Sequence, residues 1–189
     1  MGEVVQSVYA TYPEKNFPGN IARPGEPMSI ERGLLRVATG TRNPRPGDAL
    51  MFDRGENRFR LPTSASEARQ VVGILGYDAT EIQSGADLDT VSFSDNDEIR
   101  VNTFGTFWVT AGEALRWGDR LIWNTANQKW HIRQAPDPGN AAGTTAANIG
   151  DSVLAGLQLL TTLPIACVSI NEVAADELAE ARIGFGRVY

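Results

Sequence analysis

The chain carries an internal repeat, and that repeat restricts its fold more than any other feature. Pro46-Gly-Asp-Ala-Leu-Met-Phe-Asp-Arg-Gly-Glu-Asn-Arg-Phe-Arg-Leu61 aligns without a gap against Trp117-Gly-Asp-Arg-Leu-Ile-Trp-Asn-Thr-Ala-Asn-Gln-Lys-Trp-His-Ile132, so Gly47 answers to Gly118 and Leu61 to Ile132. Gly-Asp and a Leu are identical, while Phe52 becomes Trp123, Asp53 becomes Asn124, Arg58 becomes Lys129 and Phe59 becomes Trp130. One shared β-hairpin explains these exchanges. Phe52 then faces Phe59 and Trp123 faces Trp130, with a four-residue loop beyond the pairs Asp53/Arg58 and Asn124/Lys129. Each aromatic pair is worth roughly 0.2–1 kcal/mol as a cross-strand contact.

Gly33-Leu-Leu-Arg-Val37 also matches Gly105-Thr-Phe-Trp-Val109, one residue out of step with the hairpins, and Gly184-Phe-Gly-Arg-Val188 reads as a third copy. A strand-plus-hairpin unit used twice, with a closing strand at the end, predicts a mainly β chain: a barrel, or a sandwich.

Short apolar runs between turn signals predict strands at 34–38, 49–52, 58–61 and 71–75, then at 91–93, 99–101, 106–110, 121–123 and 129–132. Val91 and Phe93 alternate with polar neighbours, as do Ile99 and Val101, which predicts a hairpin across Ser94-Asp-Asn-Asp97. Strands return at 165–170 and 182–188, and the stretch 171–181 between them reads as a short helix. Ser64-Ala-Ser-Glu67 has the form of a capping box for one helical turn.

The chain divides into an N-terminal arm (1–30), a β body with two hairpin units (31–133), a loop (134–152) and C-terminal strands that complete the body (153–189). The arm holds Pro13, Pro18, Pro24 and Pro27, which fix φ and remove backbone donors, so it forms neither a long helix nor a central strand. Its aromatics make it too apolar for a free tail, and Tyr9, Tyr12, Phe17 and Arg23 are its candidate interaction residues. The loop, with Gln-Ala-Pro-Asp-Pro-Gly-Asn-Ala-Ala-Gly, has low complexity.

A net charge of −6 opposes general nucleic-acid binding, which needs a surplus of cations. The most apolar stretch, 153–170, is interrupted by Gln158, Thr161, Thr162 and Pro164 and does not read as a membrane span. One cysteine, Cys167, excludes an internal disulfide and a cysteine-based zinc site, and no cofactor is expected. The N-terminus lacks the pattern of a signal peptide, which predicts synthesis in a reducing cytoplasm.

Catalytic chemistry has little to work with. His131 is the single histidine, placed on the strand face opposite Trp130. Asp87, Asp89, Asp95, Asp97 and Glu98 are rich enough in oxygen for Ca²⁺ or for a glycosidase pair, but they miss the EF-hand spacing and read as polar turn residues. Trp108, Trp117, Trp123 and Trp130 would suit a sugar platform, yet Phe52 and Phe59 at two equivalent sites point to a core role. No active site assembles from these residues, and no enzyme is expected.

The chain resembles the structural cement proteins that decorate tailed-phage capsids. The resemblance runs through Tyr12-Pro13, Ala22-Arg-Pro-Gly-Glu-Pro27, Arg45-Pro-Gly-Asp-Ala-Leu50 and Val72-Gly-Ile-Leu75. It continues in Asp97-Glu-Ile99, Gly105-Thr-Phe-Trp-Val-Thr110, Trp117-Gly-Asp119 and Ile183-Gly-Phe-Gly-Arg-Val188. It implies an accessory protein on the outer surface of the virion head, partnered by the major capsid protein and by itself as a dimer or trimer, without catalytic residues. Two other readings compete with it. A phage tail or glycan-binding β module would be separated from it by a glycan array and gene neighbourhood, and a carboxylate-dependent hydrolase would need an open cleft with two converging acids.

Overall fold

A computed structural model describes residues 17–76, 91–133 and 165–185. Nine strands are formed among them: β1 (Ser29–Arg36), β2 (Ala49–Asp53), β3 (Arg58–Arg60), β4 (Val71–Leu75), β5 (Glu98–Thr110), β6 (Leu121–Asn124), β7 (Lys129–Ile132), β8 (Ile165–Ser169) and β9 (Leu178–Phe185). The only helical element among the described residues is a 3-10 turn, Glu67–Gln70, with the Glu67 amide donating to Ser64 Oγ.

The repeat is a pair of hairpins with the same register. Phe52 lies opposite Phe59 and Trp123 opposite Trp130, in edge-to-face contact with centroids 5.1 and 5.6 Å apart. Their loops match as well. Asp53 Oδ1 accepts the Gly55 amide and Asn124 Oδ1 the Ala126 amide, both at 2.9 Å, and Asn57 and Gln128 each adopt a φ of 55°. A side-chain acceptor two residues before the donor closes the turn, and this local chemistry sets each register.

Five strands close into a barrel, in the order β1-β3-β2-β4-β5 with β5 returning to β1. The remaining strands repeat that ring. β5 pairs with β9, β9 with β8 and β6 with β7, while single bridges Arg120–Val168 and Ala111–Trp130 join β6 to β8 and the end of β5 to β7. Ala111–Trp130 is parallel, as is the β1–β3 pairing it answers to. The described residues thus form a closed five-stranded barrel and, in tandem, a second ring of five strands completed by single bridges, with β5 the last strand of the first and the opening strand of the second. That double duty explains why the two strands expected at 99–101 and 106–110 are one strand of 13 residues.

A four-residue turn precedes each of β2, β5, β6 and β9, and the four copies share their hydrogen bonds. In Arg45–Asp48, Ser94–Asp97, Arg116–Asp119 and Ala174–Glu177 the final carboxylate accepts the first residue's amide, at 2.7, 2.6, 2.6 and 3.0 Å. The third residue, Gly47, Asn96, Gly118 or Asp176, has φ between 67° and 89°, the region that favours Gly, Asn and Asp. Its amide donates to a strand end, and that strand end donates back to the carbonyl of the acidic residue. The partners are Leu75, Leu35, Ser169 and Ala111, respectively.

These turns correct three expectations. Ser94–Asp97 does not cap a hairpin: it grips Leu35 at the end of β1, and the Phe93 amide donates to Pro44 instead of pairing as a strand. The stretch 171–181 is not helical, because Ala174–Glu177 is the fourth turn and β9 begins at Leu178. The strand match of 33–37 with 105–109 is out of register by four residues. Leu34 faces Glu98 as Thr110 faces Leu178, so the structural equivalent of Leu34 is Thr110.

The two rings balance volume differently inside one continuous core. Phe52 and Phe59 in the first accompany Leu35, Ile99 and Val101, whereas Trp123 and Trp130 in the second accompany Ala111, Ala179 and Ala181 at the equivalent positions. Larger rings are offset by smaller neighbours, as close packing requires.

Candidate functional site

The described part of the arm is fastened to its own body. Phe17 is buried at 6% exposure. The Gly19 amide donates to Trp108 O (2.7 Å), the Trp108 amide to Asn20 O (2.9 Å) and the Ala22 amide to Thr106 O (2.9 Å), so 19–22 runs along the edge of β5. Asn102 Nδ2 adds a buried bond to Gly19 O at 3.1 Å. Gly19 admits no other residue, since a Cβ there would lie 2.6 Å from Leu75 O.

Charge completes the attachment. Arg23 Nε meets Glu180 Oε2 at 2.9 Å, and Glu26 accepts from Thr106 Oγ1 at 2.7 Å and Arg182 at 2.9 Å. The Thr106 hydroxyl, helped by the two arginines, holds the Glu26 carboxyl below its ordinary range. Of the four candidate residues, Phe17 is buried and Arg23 a half-exposed rim cation, while Tyr9 and Tyr12 lie outside the described residues.

An apolar patch occupies the outer surface of β1 and β5. Ile30, Arg32 and Leu34 alternate outward on β1 opposite Asn102, Arg100 and Glu98, and Ile30 and Leu34 are exposed together with Met28 and Phe104. Arg32 reaches Glu98 at 3.4 Å across this surface. Exposed aliphatic and aromatic side chains rimmed by charges suit a protein contact. Sequence reasoning missed the patch. Its signal is Leu34-Leu35 in one strand, where adjacent residues cannot both face the core.

The groups considered for chemistry hold the fold. His131 Nδ1 lies 3.2 Å from Glu113 Oε1, its Nε2 lies 2.6 Å from Asn127 Nδ2, and Glu113 Oε1 also takes the Ile132 amide at 2.6 Å. The ring packs over Gly112, where a Cβ would come within 2.1 Å of Nε2. His131 therefore clamps β7 to the chain leaving β5. Asp95 accepts the Val37 amide and pairs with Arg36, Asp97 closes its turn and Glu98 meets Arg32; Asp87 and Asp89 lie outside the described residues. Trp123 and Trp130 are buried in the core, so they form no sugar platform.

A cleft of about 420 Å³ lies between the two rings, lined by Pro18, Asp48, Trp123 and Trp130 among others. Four of its charged residues form two ion pairs. Asp48 takes a two-pronged contact from Arg42 at 2.7 and 2.8 Å, and Lys129 pairs with Asp176. Burial pushes the Asp48 carboxyl above its ordinary value, against the pull of Arg42. The cleft reads as a joint between rings.

The arm root, the double ring and the open β1–β5 surface describe a body built for contact. A family model described as "Structural cement protein (E217 gp24/Pam3 gp6)" matches residues 5–184. The chain belongs to this phage cement family. The match covers all nine strands except the last residue of β9, and so takes in both rings of this chain. No curated protein matches the chain. A crystal structure of the head fiber gp8.5 N base of bacteriophage phi29 is similar at 13% identity and a TM-score of 0.40, over 86% of this chain and 98% of that one. The family is one of structural phage proteins.

Proposed function

We propose that this cement protein sits on the outside of a tailed-phage head and ties neighbouring major capsid subunits together, without catalysis. The family match over residues 5–184 is the observation that carries the reading. Capsid protein and further copies of the chain are its partners, and the virion surface is its place. Tyr9 and Tyr12 make the outward contacts of the arm, Phe17 anchors its root and Arg23 adds a rim cation. An arm with proline-restricted conformations loses less freedom on docking, so more of its contact energy becomes affinity. Many subunits on one shell then multiply modest contacts into lasting attachment.

The test must leave the body intact. Gly19, Asn20, Ala22 and Glu26 hydrogen-bond to β5, so a deletion reaching residue 29 would damage the barrel itself. Removing residues 2–16 instead should leave a folded protein that no longer decorates heads, and those heads should rupture at lower temperature than decorated ones. Full decoration and protection by the shortened chain would show that residues 2–16 are not the attachment element. Failure of the full chain to bind heads at all would remove the cement reading.

A further inference from the structure

The first and third turns have the same backbone but different surroundings. At Pro46-Gly47 the arm lies on the turn: Pro18 Cβ is 2.5 Å from where a Cβ on Gly47 would sit, and a Cβ on Gly19 would be 2.9 Å from Pro46 Cβ. Trp130 Nε1 also donates to Gly47 O at 2.9 Å, and Pro46 is buried. At Trp117-Gly118 no described residue approaches within 4 Å of a Cβ built on the glycine, and Trp117 is 73% exposed, the most exposed large apolar residue among those described. What covers the first turn is Pro18, the proline of an aromatic-proline pair, Phe17-Pro18. The sequence holds a second such pair five residues earlier, Tyr12-Pro13.

We propose that Trp117-Gly118 is a docking site for the Tyr12-Pro13 segment of a second copy of this chain. The inference deepens the cement reading by naming a contact through which neighbouring subunits join. The turn is already pre-formed, because Asp119 Oδ2 fixes the Arg116 amide at 2.6 Å and Ser169 exchanges two backbone bonds with it. Docking therefore requires little ordering on the receiving side, and proline limits it on the arriving side. A tryptophan at the centre of such a contact is the residue type that dominates interface energies. Arg116 and Arg120 stand within three residues of Trp117 in the chain, and the arriving segment, Tyr12-Pro-Glu14, brings a carboxylate.

The test uses the full-length protein. Trp123 and Trp130 are buried and Trp108 half-buried, so acrylamide quenching of native fluorescence reports chiefly on Trp117. Quenching should fall severalfold as concentration rises, in step with self-association measured by sedimentation. W117A should abolish both changes. Y12A combined with P13A should leave Trp117 accessible at every concentration, with a circular-dichroism spectrum equal to wild type. Three results would overturn the proposal: protection of Trp117 in the monomer, self-association that leaves Trp117 accessible, or protection unchanged by the Y12A/P13A pair. Decoration of heads by the wild-type chain, scored separately, tests the cement reading. A chain that decorates heads while Trp117 stays accessible in its oligomers would refute this contact alone.

Discussion

The indole of Trp130 donates to the carbonyl of Gly47 at 2.9 Å, across 83 residues of sequence. Trp130 belongs to the second ring's aromatic pair and Gly47 to the turn that opens β2 in the first. Phe59, the counterpart of Trp130, has no N–H to offer. The exchange of Phe for Trp between the two units thus does more than fill volume: it bolts one ring to the other.

Trp130→Phe should keep both rings but leave the Gly47 carbonyl without that donor, at a cost of about 1–3 kcal/mol. Urea unfolding would measure it. A loss within about 0.5 kcal/mol, the level of a neutral surface change, would mean that the bond contributes nothing net.

The compensation of volume between the rings is testable by exchange. Ala181→Val places the larger residue of the first ring, Val101, into the second, beside an indole pair that already fills the space. Overpacking should cost about 1–3 kcal/mol. Combining it with Trp123→Phe should cost less than the sum of the two single changes. Strict additivity in thermal or urea unfolding would refute the coupling.

Gly47 and Gly118 share a φ of 89° and differ in what a side chain would meet. Gly118→Ala should cost about 1–2 kcal/mol, the left-handed penalty alone. Gly47→Ala adds a clash with Pro18, so it should cost more and expose the arm root to limited proteolysis. Equal losses, with an arm no more accessible than in the wild type, would contradict the docking of 17–19 on this turn.

His131 and Gly112 form a steric pair. Gly112→Ala should displace the imidazole and loosen its contacts with Glu113 and Asn127. His131→Ala on its own should lose those contacts, but in the Gly112→Ala background it should cost almost nothing further. A double-mutant cycle reads this coupling directly, and a coupling near zero would refute the clamp.

Acid should weaken the fold through Arg60. Its guanidinium holds Glu67 at 2.7 Å and Asp53 at 3.1 Å, and the bonds from Arg60 and Thr63 lower the Glu67 pKa from 4.5 to about 2. The folded carboxylate binds protons more weakly than the unfolded one, so its contribution is complete above pH 4.5 and disappears as pH falls toward 2. Solvent reaches the pair, which limits the effect to about 1 kcal/mol. Glu67→Gln should flatten the acid limb of a stability–pH profile over this interval. An unchanged limb would place the acid sensitivity elsewhere.

The sequence alone determined the two hairpins. Register there depends on residues within ten positions of each other: an Asp or Asn that closes the turn, a residue that accepts positive φ, and facing aromatics. The carboxylate turn was half legible. Its two Gly-Asp copies show in the repeat, but the copies ending Asn96-Asp97 and Asp176-Glu177 hide because Gly, Asn and Asp satisfy the same φ and Asp and Glu the same amide. The candidate arm residues form a set of aromatics and a cation among prolines, of which Phe17 and Arg23 fall among the described residues. That Phe17 faces inward while Leu34 faces outward was not legible.

Only the tertiary structure decided which strand end each turn grips, that β5 serves two rings, and that residues 17–26 lie on their own barrel. A backbone amide offers the same bond to any carbonyl, so the sequence of a turn cannot name its partner. Length and pairing between distant segments chose Leu35, Leu75, Ala111 and Ser169. The stretch 171–181 shows the same limit, since its Ala and Glu favour a helix locally. There the exchange of two backbone bonds with Ala111, together with burial of Ala179 and Ala181 against the aromatic core, outweighs a propensity of a few tenths of a kcal/mol per residue.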